Sequence, residues 1–249
     1  MAAGKEDLSG FEIRVLTTLD EFHKTLDLQK RIWGFDESDV VAPRLFGVYR
    51  HVGGSVIGAF VAEEMVGYTL AFAGFKSDHR VYWHSHMAGV VPELQGRGIG
   101  RRLKLRQRAE ALAAGIDLIE WTFDPLQARN AYFNVERLGV VVHEYIPNLY
   151  GVTSSKLHGS LPTDRLVASW HLESARVLAR IDGTAREREV TNRTVDIPTD
   201  ANELPTVDGL ALQARLRSEF QSAFANGLEV SGFEVTASGG RYLLTRRVM

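Results

Sequence analysis

Val90-Val91-Pro92-Glu93-Leu94-Gln95-Gly96-Arg97-Gly98-Ile99-Gly100-Arg101-Arg102-Leu103 is the stretch on which the reading of this chain turns. A hydrophobic, strand-like run ends at a proline. Three glycines alternate with other residues, and a basic helical pattern begins at once. Such a junction aims several backbone N–H groups at one point, at the positive end of a helix dipole, and so suits a diphosphate. Glycine serves it twice: no Cβ holds the phosphates off, and positive φ angles that converge the N–H groups cost nothing. From Arg97 to Arg108 the basic residues are Arg97, Arg101, Arg102, Lys104, Arg106 and Arg108, with no acidic residue among them.

Working outward, Phe11–Leu16 alternates as a strand does, and Thr18 to Ile32 carries Leu19, Phe22, Leu26 and Gln29/Lys30 at helical spacing. Pro43 suits the first turn of a short helix. Ser55–Ala62, Met65–Phe75 and Arg80–Val91 are three β-rich runs with short breaks, which predict an antiparallel meander. Beyond the glycines, Ile99 to Ala114 reads as a helix ended by Gly115, with Ile99/Leu103 on one face and Leu105/Ala109/Leu112 on a second. Leu118–Phe123 is the next strand. Asp124-Pro125 predicts a helix start, with Asp124 as cap and the helix running to Leu138 before Gly139. Val140–Tyr145 is a further strand. The order is a mixed α+β one with a single crossover, not a repeating βαβ series.

The remainder predicts a strand at Leu166–Leu172, a helix at Ser174–Ile181, and an amphipathic helix at Leu210–Phe224 striped by Leu212, Leu216, Phe220 and Phe224. A hairpin of Leu228–Ala237 and Tyr242–Val248 closes it. A soft boundary near residue 158 divides the chain into 11–158 and a C-terminal α/β extension, 159–249.

Composition bounds the function. The 249 residues are 45% hydrophobic and 24% charged, as in soluble globular proteins. No run approaches the roughly 18 apolar residues that span a membrane, and Met1 to Ser9 lacks a signal core. A cytoplasmic location without a membrane partner is the expectation. There is no cysteine, which excludes disulfides, thiolate metal sites and a cysteine nucleophile; no metal is expected. A net charge of −2 gives no overall pull toward nucleic acid.

Two common phosphate motifs fail. A Walker-type loop needs Lys-Ser/Thr after its last glycine, and Gly100 is followed by Arg101-Arg102. A Rossmann fingerprint counted from Gly96 and Gly98 needs a glycine or alanine where Arg101 stands. Gln95-Gly96-Arg97-Gly98-Ile99-Gly100 instead resembles the acyl-CoA signature Gln/Arg-x-x-Gly-x-Gly/Ala of the GNAT (N-acetyltransferase) superfamily. The resemblance covers about residues 11–150. The words Trp121-Thr122-Phe123-Asp124-Pro125-Leu126 and Asn148-Leu149-Tyr150-Gly151 resemble a less studied branch, which implies N-acylation of amino acids with succinyl-CoA as a donor beside acetyl-CoA of the wider superfamily.

The resemblance implies a mixed central sheet flanked by helices and a set of site residues. Gly96, Arg97, Gly98, Ile99 and Gly100 would contact the pyrophosphate after Gln95. Arg101, Arg102 or Lys104 would reach it or the 3′-phosphate. The pantetheine arm would run along Ala88, Gly89, Val90 and Val91, against Leu118–Phe123, with an amide near Gly89 or Val90 polarising the thioester. Asn130 and Phe133 would touch the arm.

Gly89 also suits a strand bulge. His84 and His86, on one face of the strand, and Glu120, on the next, are the base candidates. The family's acid is a tyrosine four residues before the glycine closing the second helix. That position is Val135, so Tyr132, one turn earlier, is the substitute, with Asn134 and Tyr145 behind it. The implied activity is acyl transfer from CoA to a small-molecule amine, by a monomer or a homodimer. The alternative is a non-catalytic acyl-CoA sensor.

Overall fold

The structure is a computed structural model that describes residues 10–151, 161–184, 190–199 and 204–247. The chain divides into two compact units, Met1–Ile119 and Glu120–Met249. The boundary expected near residue 158 lies outside the described residues.

The first unit is built on a meander of β1 (Phe11–Val15), β2 (Ser55–Val61), β3 (Glu64–Phe75) and β4 (Val81–Val90), each antiparallel to the last. Between β1 and β2 lie α1 (Leu19–Trp33) and α2 (Pro43–His51); after β4 comes α3 (Ile99–Ala113). Thr18 and Glu21 form a capping box that starts α1, and Gly34 at φ 70° ends it. The face of α1 turned inward is Phe22, Thr25, Leu28 and Gln29: Phe22 and Gln29 of the predicted stripe are buried, whereas Leu19 is exposed and Leu26 only half-buried. The Gln29 side-chain amide clasps the main chain of Val41 in both directions and fixes the loop that leads to α2. The two faces of the meander are distinct. Tyr68 of β3 packs on Trp33 and Phe46 from α1 and α2. Ser85 of β4 points the other way, to Lys104 and Gln107 of α3.

The second unit orders its strands β5-β7-β6-β9-β10-β8, where β5 is Leu118–Phe123, β6 Val141–Ile146, β7 Arg165–His171, β8 Arg193–Pro198, β9 Leu228–Thr236 and β10 Gly239–Arg246. Its helices are α4 (Ala128–Tyr132), α5 (Ala175–Asp182) and α6 (Thr206–Ala225). Aromatic rings form its core: Tyr145, Phe233, Phe220 of α6 and Tyr242 make one chain of ring contacts. Trp121 meets Trp170, whose indole N–H donates to the Leu138 carbonyl.

Two expectations fail here, and β8 falls where the sequence pattern predicts no element. The helix after β5 begins at Ala128, not at Pro125, because the Asp124 carboxylate accepts the Leu126 amide in a tight turn instead of capping a helix. From Phe133 to Leu138 the backbone then widens into a π-helix that ends on Gly139 at φ 79°.

Candidate functional site

The glycine turn has the geometry its composition predicts. After β4, Pro92–Leu94 makes a short 3-10 turn, and the Gln95 side chain donates back to the Val90 carbonyl at 3.0 Å. Gly96 and Gly98 sit at φ 80° and 81°, left-handed values that a Cβ would strain. Gly98 caps α3 without any side-chain bond, and the first intrahelical bond is Arg102 N–H to the Gly98 carbonyl at 3.1 Å. The amides of Ile99, Gly100 and Arg101 therefore point out of the helix end. A Cβ at Gly100 would meet nothing within 4 Å, so the protein itself does not require glycine there. Space, convergent donors and a positive helix end fit a diphosphate.

The basic cluster is less uniform than its sequence. Arg97 is exposed and Arg101 partly so, but Arg102 reaches back to the Phe11 carbonyl of β1. Lys104 faces the sheet, 3% exposed, and donates to Gln107 Oε1 at 2.6 Å and Ser85 Oγ at 3.1 Å. It cannot serve a phosphate at the turn. Of the second stripe expected on α3, Ala109 is exposed, and the inward residues are Ile99, Leu103, Lys104, Gln107 and Ala111.

Along β4 the register slips by one residue: Met87 pairs with Leu70 and Ser85 with Ala71, leaving His86 as the bulged residue. The bulge expected at Gly89 is thus three residues earlier. Gly89 is required for a different reason, since a Cβ there would meet the Trp33 ring at 2.8 Å and Ile32 at 2.9 Å. His84 and His86 do share one face. Their rings lie 5.2 and 5.8 Å from Phe72, which stacks on Tyr49, and 6.1 Å from each other. Displacement of water by these neighbours lowers the His86 pKa below the usual imidazole value. Val90 and Val91 bury their side chains, so only their backbone is available to a ligand. Ala88 is exposed.

In the second unit, Glu120 is buried and accepts the Ser169 hydroxyl at 2.9 Å. Asn130 and Tyr132 are exposed on α4 and Phe133 is half-buried, whereas Asn134 and Val135 are buried. Tyr145 donates its hydroxyl to Asp164 at 2.6 Å; burial and that carboxylate push its pKa well above the usual phenol range, which disposes of it as an acid. Asp164 is also held by Arg217 through two nitrogens and by the Asn148 amide. Thr122, Tyr150 and Arg165 were not singled out by sequence. The Tyr150 and Thr122 hydroxyls lie 2.9 Å apart, and the Arg165 guanidinium sits 5.3 Å from the Tyr150 ring centre. The two sequence words that contain Thr122 and Tyr150 were the available signal. Among the described residues, no group of three or more His, Asp or Glu could hold a metal ion, and no helix is long and apolar enough to cross a membrane.

No family model matches the chain, and no curated protein does. Solved structures do. The chain is similar to yncA of Salmonella typhimurium, solved with its cofactor acetyl-CoA, at TM-score 0.52 and 20% identity over 68% of this chain and 98% of that one. It is similar to the ribosomal-protein-S18-alanine N-acetyltransferase of Escherichia coli at TM-score 0.51 and 16% identity, covering 66% and 96%. A GNAT-family acetyltransferase of Streptococcus pneumoniae gives 0.51 and 10%, covering 64% and 98%. The chain has the GNAT acetyltransferase fold. About a third of it lies outside each of these alignments.

Proposed function

We propose that the protein is an acyl-CoA-dependent N-acyltransferase. It moves an acetyl or succinyl group to the primary amine of a small molecule such as an amino acid, in the cytoplasm, as a monomer or a homodimer. The observation that carries this reading is the left-handed glycine turn that opens α3 with no side chain on its cap. Within the GNAT fold, that turn is where an acyl-CoA diphosphate fits. The amides of Gly98 to Arg101 bind the diphosphate, Arg97, Arg101 and Arg102 add charge, and the backbone of Ala88–Val91 takes the arm. Asn130 and Phe133 are the further arm contacts that the resemblance implies. Bound acyl-CoA supplies an activated thioester. The neutral amine attacks it directly, with His86, His84 or Glu120 taking the amine's proton.

Calorimetry with CoA is expected to give micromolar affinity; no heat at millimolar CoA removes the reading. A pH profile tests the base. Because burial lowers the His86 pKa, its imidazole stays neutral to below pH 6.5. The acidic limb of kcat/KM is therefore expected to have its midpoint below 6.5, and His86→Gln is expected to lose that limb. A profile unchanged in His86→Gln assigns proton removal elsewhere.

The buried, hydroxyl-free Val135 favours a second reading, a non-catalytic acyl-CoA sensor. It binds CoA equally well and releases no thiol from acetyl-CoA with any amine.

A further inference from the structure

We infer that the acceptor amine carries a planar aromatic side group and that Phe72 is the residue that selects it. This rests on the acyltransferase reading with a histidine as base. The residues concerned all belong to the first unit and surround one ring. Phe72 of β3 has the Tyr49 ring of α2 at 5.0 Å, inclined by 30°, the His84 ring at 5.2 Å and the His86 ring at 5.8 Å. Tyr49, Phe72 and His84 are half-buried and His86 is exposed, so these rings border solvent instead of filling the core.

A contiguous aromatic patch at a surface gains free energy when a ligand covers it. This one is held in place from two sides. The chain leaving α2 turns directly onto β3: the Gly54 amide donates to the Tyr49 carbonyl at 2.8 Å, and a Cβ at Gly54 would meet Phe72 Cα at 2.8 Å. A larger residue there would part Tyr49 from Phe72. The bulge in β4 acts on the other side of the ring. It adds His86 beside His84, 6.1 Å apart, and so sets a second imidazole against Phe72. A fixed helix end and an irregular strand thus converge on one phenyl ring that the core leaves half open.

The place of the ring decides what it meets. His84 and His86 are the candidate bases, and both lie against Phe72. An amine within hydrogen-bond reach of either imidazole therefore has the Phe72 ring beside it, and the group attached to that amine is the first part of the acceptor to reach the patch. A fixed cation there would be repelled whenever an imidazole is protonated. An aliphatic chain would gain from buried area alone. A planar aromatic group gains the same area and adds offset stacking on rings already set in position. The acceptor class is a primary amine with such a group, as in an aromatic amino acid.

Phenylalanine and cyclohexylalanine, each as the racemate, compare a planar ring with a puckered one of similar size beside the same amine. Thiol release from acetyl-CoA and from succinyl-CoA is followed with each. The wild type is expected to favour phenylalanine in kcat/KM by roughly three- to tenfold. Phe72→Leu keeps an apolar side chain, so CoA affinity and melting temperature are expected to hold while the ratio falls to about one. Tyr49→Leu is expected to lose part of the ratio. Both amines are compared in one preparation, so the folded fraction cancels and a purely structural role for the ring would leave the ratio unchanged. A wild type without the preference, one that acts only on other amines, or a preference that survives Phe72→Leu overturns the assignment and leaves the acyltransferase reading intact. CoA binding with no thiol release from either donor on any amine overturns both, as does absence of CoA binding.

Discussion

Gly100→Glu is expected to weaken CoA binding by at least about 100-fold while leaving the fold as stable as before or slightly more so. The two effects have opposite signs for one reason. In the protein alone, a side chain at Gly100 enters open space, its φ is not left-handed, and Ile99 beside it already anchors the helix. Replacing glycine inside a helix gains about 0.5–1 kcal/mol, and a carboxylate in the first turn gains a few tenths more from the helix dipole. The same carboxylate would stand in the proposed diphosphate site. Like charges about 4 Å apart at a protein surface repel by about 4 kcal/mol. Calorimetry with CoA and thermal melting, run on the same preparation, check both halves. Wild-type affinity in the variant means that the diphosphate binds elsewhere. A joint loss of affinity and stability means that the glycine serves the fold.

The second large effect concerns Lys104. Its ammonium is enclosed between α3 and β4, and burial holds its pKa well below the usual lysine range. Ser85 and Gln107 are neutral partners and only partly compensate for lost water. Lys104→Met fills the same volume with a flexible apolar chain, and the Ser85 hydroxyl still donates to Gln107 Oε1 at 3.1 Å. We expect a gain in stability of about 1–4 kcal/mol near neutral pH, read from denaturant midpoints.

The sign with pH follows from linkage. The unfolded chain keeps this proton up to about pH 10.4, whereas the native protein releases it earlier. The wild type is therefore penalised fully below the native pKa, gains stability as pH rises above it, and is relieved by about pH 10.4. Lys104→Met should lack that slope. A variant less stable than the wild type, with the same slope, means that the lysine is fully compensated. Because Ser85 lies between His84 and His86, the lysine ties α3 to the strand that presents both histidines.

What sequence could read was local. Gly96 and Gly98 adopt the left-handed angles that only their position before a helix suggested, and the meander follows from alternation and short breaks. What it could not read depends on neighbours far along the chain. A lysine in a basic run reads as solvated, and only the docking of α3 on β4 buries Lys104. Asp124-Pro125 carries the right letters for a helix start, yet the carboxylate closes a turn on Leu126 and the helix begins at Ala128. The π-helix at Phe133–Leu138 has no periodic signature of its own. Gly89 is glycine because Trp33, 56 positions earlier, lies against it. The meeting of Thr122 and Tyr150 spans 28 positions; the two sequence words that contain them stand out separately, but nothing in either pairs it with the other.

The extra residue at His86 lets β4 carry one more side chain without turning the strand over. Ser85 opposes Ala71 and Met87 opposes Leu70, so the residues on either side keep the alternation of a regular strand, and His86 is added beside His84. Loss of His86 alone would close the ladder and leave Ala88, Gly89 and Val90 facing as they do, with Gly89 still against Trp33. A lineage carrying this fold could gain or lose the second histidine through a one-residue insertion or deletion while the glycine turn stays where it is.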